Sequence, residues 1–285
     1  MNKVYACIDG LDTTTAVIDW AAWSALRLEV PLELLHVLER PPEMPHVGDY
    51  SGAIGLGAQE VLLQQLSALD EQRGKMAQEA GRQMLASARE RATAAGVQQL
   101  DGRLRHGELV DTVLEFEPDA RLFVLGAHYR ASSSSRIHLD HHVERVIRAV
   151  RRPVLVTTTG PFAPPERFVV AYDGSATANT TVEMVARSPL LKGLPALVAM
   201  VGADTTQAQE QLAAAANQLH AAGFAVQTQL LPGEPEQALP ELLASQGAAL
   251  LVMGAYGHSR IRHLIVGSTT TTLLRLSQVP VLILR

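Results

Sequence analysis

The chain has 285 residues, a formal net charge of −5, 47% apolar residues and 4% aromatics. That length suits one large domain or two small ones, and so few aromatics leave the cores to be built from Val, Leu, Ile and Ala. Lysine and arginine form no long basic stripe, which argues against nucleic-acid binding, and the single cysteine, Cys7, excludes an intrachain disulfide and fits a reducing compartment.

From the N-terminus, Met1-Asn2-Lys3-Val4 runs straight into a strand-like segment ending at Asp9-Gly10. No apolar stretch with a cleavage site follows, as a secretory signal would require. No apolar run approaches the roughly 18–20 residues that span a bilayer. The expected compartment is therefore the cytoplasm, with no membrane contact. Cys7 lies inside the first strand and reads as a small buried hydrophobe. The Pro- and Gly-rich stretch from Pro41 to Gly57 reads as a loop, and about Glu60 to Ala95 reads as a helix. Gly160-Pro161-Phe162-Ala163-Pro164-Pro165 carries three prolines, which stop either neighbouring pattern. Residues 1–159 and 160–285 are accordingly expected to form two domains.

The second half alternates. Arg167–Asp173 is an apolar strand ending in Asp-Gly, and Thr177–Arg187 is a helix with Ser175 as a cap candidate. Ala196–Val201 is a strand, Gln207–Ala222 a helix closed by Gly223, and Phe224–Leu231 a strand. Glu236–Ser245 is a short helix, Ala249–Met253 a strand, and a helix after Gly267 leads to the last strand, Val281–Leu284. This order implies an α/β fold, an open parallel five-stranded sheet with helices on both faces.

The halves repeat each other. Arg152-Pro153-Val154-Leu155-Val156 matches Val279-Pro280-Val281-Leu282-Ile283 at a spacing of 127 residues. Ala95-Gly96-Val97 matches Ala222-Gly223-Phe224, Gly107-Glu108 matches Gly233-Glu234, and Phe123–Ala127 matches Leu251–Ala255, all within one residue of that spacing. Val4–Gly10 resembles Val169–Gly174, so the first half carries about 37 extra residues. Two tandem sheets are expected.

After the Ala249–Met253 strand comes Gly254-Ala255-Tyr256-Gly257, and then Gly267-Ser268-Thr269 opens a helix. Glycine permits positive φ and close approach to the main chain. Open α/β sheets take ligands at the carboxyl ends of their strands, and free N–H groups at a helix start favour phosphate. His258, Arg260, Arg262 and His263 add positive charge. The loop is not a P-loop, which would end Gly-Lys-Ser/Thr.

The pattern Gly-x2-Gly-x9-Gly-Ser/Thr at Gly254, Gly257, Gly267 and Ser268, with Asp173 after the first strand, resembles the universal stress protein family in its ATP-binding, tandem form. The resemblance implies a Rossmann-like fold and a stress-response regulator that binds ATP. It places Asp173 near the ribose and phosphates, where it would help hold a divalent ion such as Mg. It places main-chain groups near Ala171 and Val201 against adenine. Gly254, Gly257, Gly267, Ser268 and Thr269 would wrap the ribose and phosphates. His258 stands where an arginine is common and Arg260 where a glycine is common. The resemblance also implies that Val154–Thr157 pairs with Val281–Leu284, making the chain an intramolecular pseudo-dimer. It leaves a homodimer and an unknown protein partner open.

The first half departs from this pattern. Tyr129 replaces the second glycine, Ser132–Ser135 follows, and Asp140 and His141 stand for Gly267 and Ser268. A carboxylate at the helix start would repel phosphate and cap the helix itself. Asp9 is expected to persist as a structural relic, with one nucleotide per chain. His138, Asp140, His141 and His142 form a cluster, with His138 sharing a helical face with the other two histidines. A zinc site or a solvated helix start are its two readings. His36 and His106 read as isolated strand-end residues, Glu115 and Glu117 as solvated surface, and Thr269–Thr272 as a structural first helical turn. No catalytic motif is present. A regulatory ATP-binding module, a slow ATP-hydrolysing or nucleotidyl-transferring enzyme, and a small apolar ligand carrier all remain compatible with the sequence.

Overall fold

The computed structural model describes residues 2–39, 56–127, 129–131, 137–139, 141–247, 249–255 and 268–285. The first half comprises β1 (Lys3–Ile8), α1 (Thr14–Leu28), β2 (Leu32–Leu38), α2 (Leu56–Ala94), β3 (Leu100–His106), α3 (Leu109–Phe116), β4 (Ala120–Gly126), the short strands β5 (Tyr129–Ala131) and β6 (Ile137–Leu139), α4 (His141–Ala149) and β7 (Val154–Thr157). The second half comprises β8 (Arg167–Ala171), α5 (Ala176–Arg187), β9 (Ala196–Val201), α6 (Thr206–Ala221), β10 (Val226–Leu231), α7 (Pro235–Ser245), β11 (Ala249–Gly254), α8 (Ser268–Leu276) and β12 (Val281–Leu284). Every element expected in the second half is found, with ends shifted by at most two residues.

Ten strands form one sheet in the order β10-β9-β8-β11-β12-β7-β4-β1-β2-β3. Within each half the neighbours run parallel. The halves meet where β12 and β7 pair antiparallel, with Val281 opposite Val156, Leu282 opposite Leu155 and Ile283 opposite Val154. The strand pairing expected across the halves is therefore present, and two parallel five-stranded sheets become one mixed sheet. This joint covers one strand edge of each half, those of β12 and β7, while β10 and β3 remain the outer edges.

Strand residues alternate between two apolar layers. Val4, Ala6 and Ile8 face the layer of α1, α2, α5 and α6, where Val17, Trp20, Val182, Val185, Leu212 and Leu219 are buried. Tyr5 and Cys7 face the layer of α3, α4, α7 and α8, with Val113, Ile147, Leu239 and Leu273. A parallel sheet covered on both sides needs near-continuous apolar strands, which explains why the central strands lack a polar face. The outer strands β3 and β10 expose Asp101, Arg103, Gln227 and Gln229 instead. Cys7 is buried as expected, and burial pushes its thiol up to about 12.

Side chains also tie the halves together. Arg27 Nε donates to Leu190 O at 3.1 Å. Arg285 Nη1 donates to Arg148 O at 2.8 Å and Val150 O at 2.7 Å, at the end of α4. Among the described residues, no helix is long and apolar enough to cross a membrane.

Three expectations are corrected. His138 lies in strand β6, paired with Arg130, and the helix begins only at His141, so the histidines share no helical face. His36 is a buried histidine rather than an isolated strand-end residue, its Nδ1 2.7 Å from Ile8 O. Glu117 is structural, its Oε1 accepting from the backbone amides of Arg151 and Arg152, the latter at 3.2 Å. Ser132–Ser135 and Asp140 lie outside the described residues.

Candidate functional site

In the second half the strand order reverses between β8 and β11: the chain first lays β9 and β10 on one side of β8, then crosses to place β11 on the other. The crevice at the carboxyl ends of those two strands is where open α/β sheets take ligands.

Asp173 follows β8 and is exposed at this crevice. Its Oδ1 accepts the Ser175 amide at 3.0 Å. Gly174 has φ +73°, and a Cβ there would stand 2.5 Å from Gln211 Oε1 on α6. The turn therefore needs glycine for its backbone, while the flexible end of the Gln211 side chain could give way to a Cβ. Ser175 caps α5, its Oγ accepting the Ala178 amide at 3.1 Å. The first half repeats the turn. Asp9 Oδ1 accepts the Leu11 amide at 2.9 Å, and Gly10 has φ +81°. Both aspartates thus shape the strand-to-helix turn.

Ala171 and Val201 end the adjacent strands β8 and β9, half-buried on the same face of the sheet. The amides just beyond them are engaged in the ladder: Tyr172 N–H donates to Ala199 O and Gly202 N–H to Leu231 O, each at 2.9 Å. The two side chains form a short apolar strip beside Asp173. The space next to the Gly202 Cα is open.

Gly254 ends β11, and the next amide, of Ala255, donates to Leu284 O at 3.1 Å. A Cβ on Gly254 would stand 2.7 Å from Thr177 Cγ2 and 2.9 Å from Thr181 Oγ1. In the first half, a Cβ on Gly126 would stand 2.5 Å from Thr13 Cβ. In both halves this glycine admits the helix that follows the first strand, so the first glycine of the pattern has a packing cause of its own.

Gly257, His258 and Gly267 lie outside the described residues, as do Arg260, Arg262 and His263. Ser268 opens α8, which places its first turn after the loop from β11. Thr269 Oγ1 donates to Glu236 Oε1 at 2.7 Å. Glu236, half-buried in the first turn of α7, was missed by the sequence reading. Nothing in a lone glutamate 33 residues from Thr269 marks it. Its carboxylate suits the positive ends of α7 and α8 and occupies a hydroxyl expected to face phosphate.

In the first half, β4 leads into the β5–β6 hairpin, and β6 lies against α8 of the second half. His142 Nδ1 is 3.4 Å from Glu39 Oε1. Among the described residues no group of three or more His, Cys, Asp or Glu is placed to hold a metal ion.

The tandem, doubly wound halves, each carrying an Asp-Gly turn after its first strand and a glycine at the end of its fourth, define a duplicated α/β protein. The sequence model of the universal stress protein family matches residues 1–158 and 191–285. A universal stress protein of Synechocystis sp., Slr1230, is 34% identical over 288 residues, covering 100% of both chains. This chain belongs to the universal stress protein family. In structure it is similar to a universal stress protein of Archaeoglobus fulgidus, with TM-score 0.69 and 19% identity over 100% of this chain and 98% of that one. A Pseudomonas aeruginosa member gives TM-score 0.61 and 14% identity over 100% and 93%. A universal stress protein solved in complex with cAMP aligns with 43% of this chain and 98% of its own, at 27% identity and TM-score 0.37.

Proposed function

We propose that this protein is a regulatory ATP binder that holds one nucleotide per chain in its second half. The observation that carries the reading is the convergence, at the strand reversal between β8 and β11, of an exposed Asp173, the apolar strip of Ala171 and Val201, and Gly254 at the end of β11. Adenine would lie on the apolar strip. The phosphates would meet the amides at the start of α8, where the helix dipole favours negative charge. Ser268 and Thr269 would add hydroxyls, while Gly257, His258 and Gly267 would shape the loop between. An exposed carboxylate suits a hard cation, so Asp173 is the residue that would hold Mg beside the phosphates, where the ion would neutralise their charge.

The first half supports a single site. Asp140 and His141 stand where the second half has Gly267 and Ser268, and the chain after β4 turns into a hairpin. Bound nucleotide would then change how this chain meets a protein partner in the cytoplasm. Denaturing the freshly purified protein and identifying the released small molecule tests the reading. Intact adenine nucleotide, near one per chain, is expected. A protein that releases none and binds no added ATP refutes it.

A further inference from the structure

The joint between the halves encloses a second feature, distant from the β8–β11 crevice. On the α1 and α5 side of the β12–β7 pairing lies an apolar cleft of about 210 Å³. Its floor is Leu122, Leu282 and Leu284, all buried, and α5 supplies Met184 and Val185 as a wall. Two arginines, Arg121 and Arg187, also line it, and among the described residues no carboxylate does.

Arg121 reaches this cleft because of a local irregularity. Strand β4 pairs with β1 through Ala120 opposite Lys3 and then Leu122 opposite Val4, so β4 has one extra residue, Arg121. A bulge of this kind re-aims a side chain. Here Arg121 and its neighbour Leu122 both line the cleft, although consecutive strand residues ordinarily face opposite sides. The repeat has no counterpart: β11 pairs with β8 in unbroken register. Arg121 is half-buried, and among the described residues it has no hydrogen-bond or ion-pair partner. Arg187, at the rim, has among the described residues a 3.9 Å ion pair with Glu183, both groups well exposed.

We infer that this cleft is a binding site for a small amphipathic monocarboxylate, of the size of a medium-chain acyl or aryl acid. Arg121 offers a guanidinium beside the apolar lining, and its planar fork matches a carboxylate with two parallel hydrogen bonds. The volume sets the size. An apolar cavity of about 150 Å³ accepts one benzene, and typical drug-sized sites begin at about 300 Å³. A ligand of about ten non-hydrogen atoms therefore fills this one. It would touch β4 of the first half together with α5 and β12 of the second, and so would bind only where the halves are joined.

Titration of the full chain with octanoate and, separately, with 1-octanol tests the inference. Octanoate is expected to bind saturably, one per chain. Arg121→Met should weaken octanoate about tenfold or more and leave 1-octanol unchanged, whereas Arg121→Lys should restore part of the loss. Met184→Trp, which fills the cleft, should abolish binding of both. Octanoate uptake that does not saturate, or that is the same in Arg121→Met as in the parent chain, overturns the assignment. ATP binding is not part of this site and should be unaffected by any of the three substitutions.

Discussion

Gly254 lies so close to Thr177 that a Cβ added to it would stand 2.7 Å from the threonine Cγ2. Thr177 belongs to the first turn of α5 and has few χ1 alternatives, and Thr181 Oγ1 would stand 2.9 Å away, so relief requires these side chains or the helix to shift. Gly254→Ala is expected to destabilise the fold by about 1–3 kcal/mol through overpacking. Gly126→Ala should cost more, because Thr13 Cβ itself would stand 2.5 Å from the new atom. Urea unfolding of the two variants checks this. Parent-like midpoints would show that the helices are not seated on these glycines.

The bond from Thr269 to Glu236 yields a second prediction, about affinity. If phosphate occupies the start of α8, the Glu236 carboxylate opposes it by like charge. Glu236→Gln keeps a hydrogen-bond acceptor and removes the charge. One unit of charge a few ångströms from phosphate near the surface amounts to about 1 kcal/mol once screened by solvent, so ATP should bind roughly fivefold more tightly. Calorimetric titration of the variant tests it, and weaker binding would mean that Glu236 orients the site instead.

The dependence of stability on pH follows from Cys7 and Tyr5. Burial raises the Cys7 thiol from 9.0 to about 12, and burial, with help from Glu33 and Asp119, raises the Tyr5 phenol from 10.0 to about 12. Both groups are charged when deprotonated, so the unfolded chain loses these protons first as pH rises. Their contribution is complete below about pH 9 and is lost progressively between about pH 9 and 12. Unfolding midpoints measured over that range should fall, and Cys7→Ala should make the fall shallower. An unchanged slope in Cys7→Ala would place the alkaline loss elsewhere.

Arg285 holds the last carbonyls of α4 from the opposite half of the molecule. These are charge-assisted bonds at a helix C-terminus, but the arginine is exposed. Arg285→Ala should therefore cost only about 1 kcal/mol, lowering the thermal midpoint by roughly 2–4 °C. Differential scanning calorimetry would detect that shift.

The fold was legible because periodicity and repetition state it twice. The apolar runs of β8, β9, β11 and β12 and the caps at Ser175 and Gly223 fix elements locally, and the repeat of Arg152–Val156 in Val279–Ile283 shows that each half ends in the same strand. Asp173 and Gly254 stand out in the sequence as candidate positions, yet their local causes, the Ser175 amide and the α5 threonines, do not, since they depend on how α5 seats on the sheet. Glu236 and Arg121 were invisible for the same reason. One meets Thr269 only after α7 and α8 pack together, and the other enters its cleft only because β4 takes a bulge against β1. The hairpin β5–β6 hid within a run that alternation could not resolve.

The most direct test of a single nucleotide site in the second half is the stoichiometry of Mg-ATP binding to the full chain and to Gly267→Asp, which copies the first half's own residue. The expected result is one ATP per chain, lost in Gly267→Asp while the circular dichroism and unfolding midpoint stay those of the parent. Two equivalent sites, or one site that survives the substitution, would contradict the assignment.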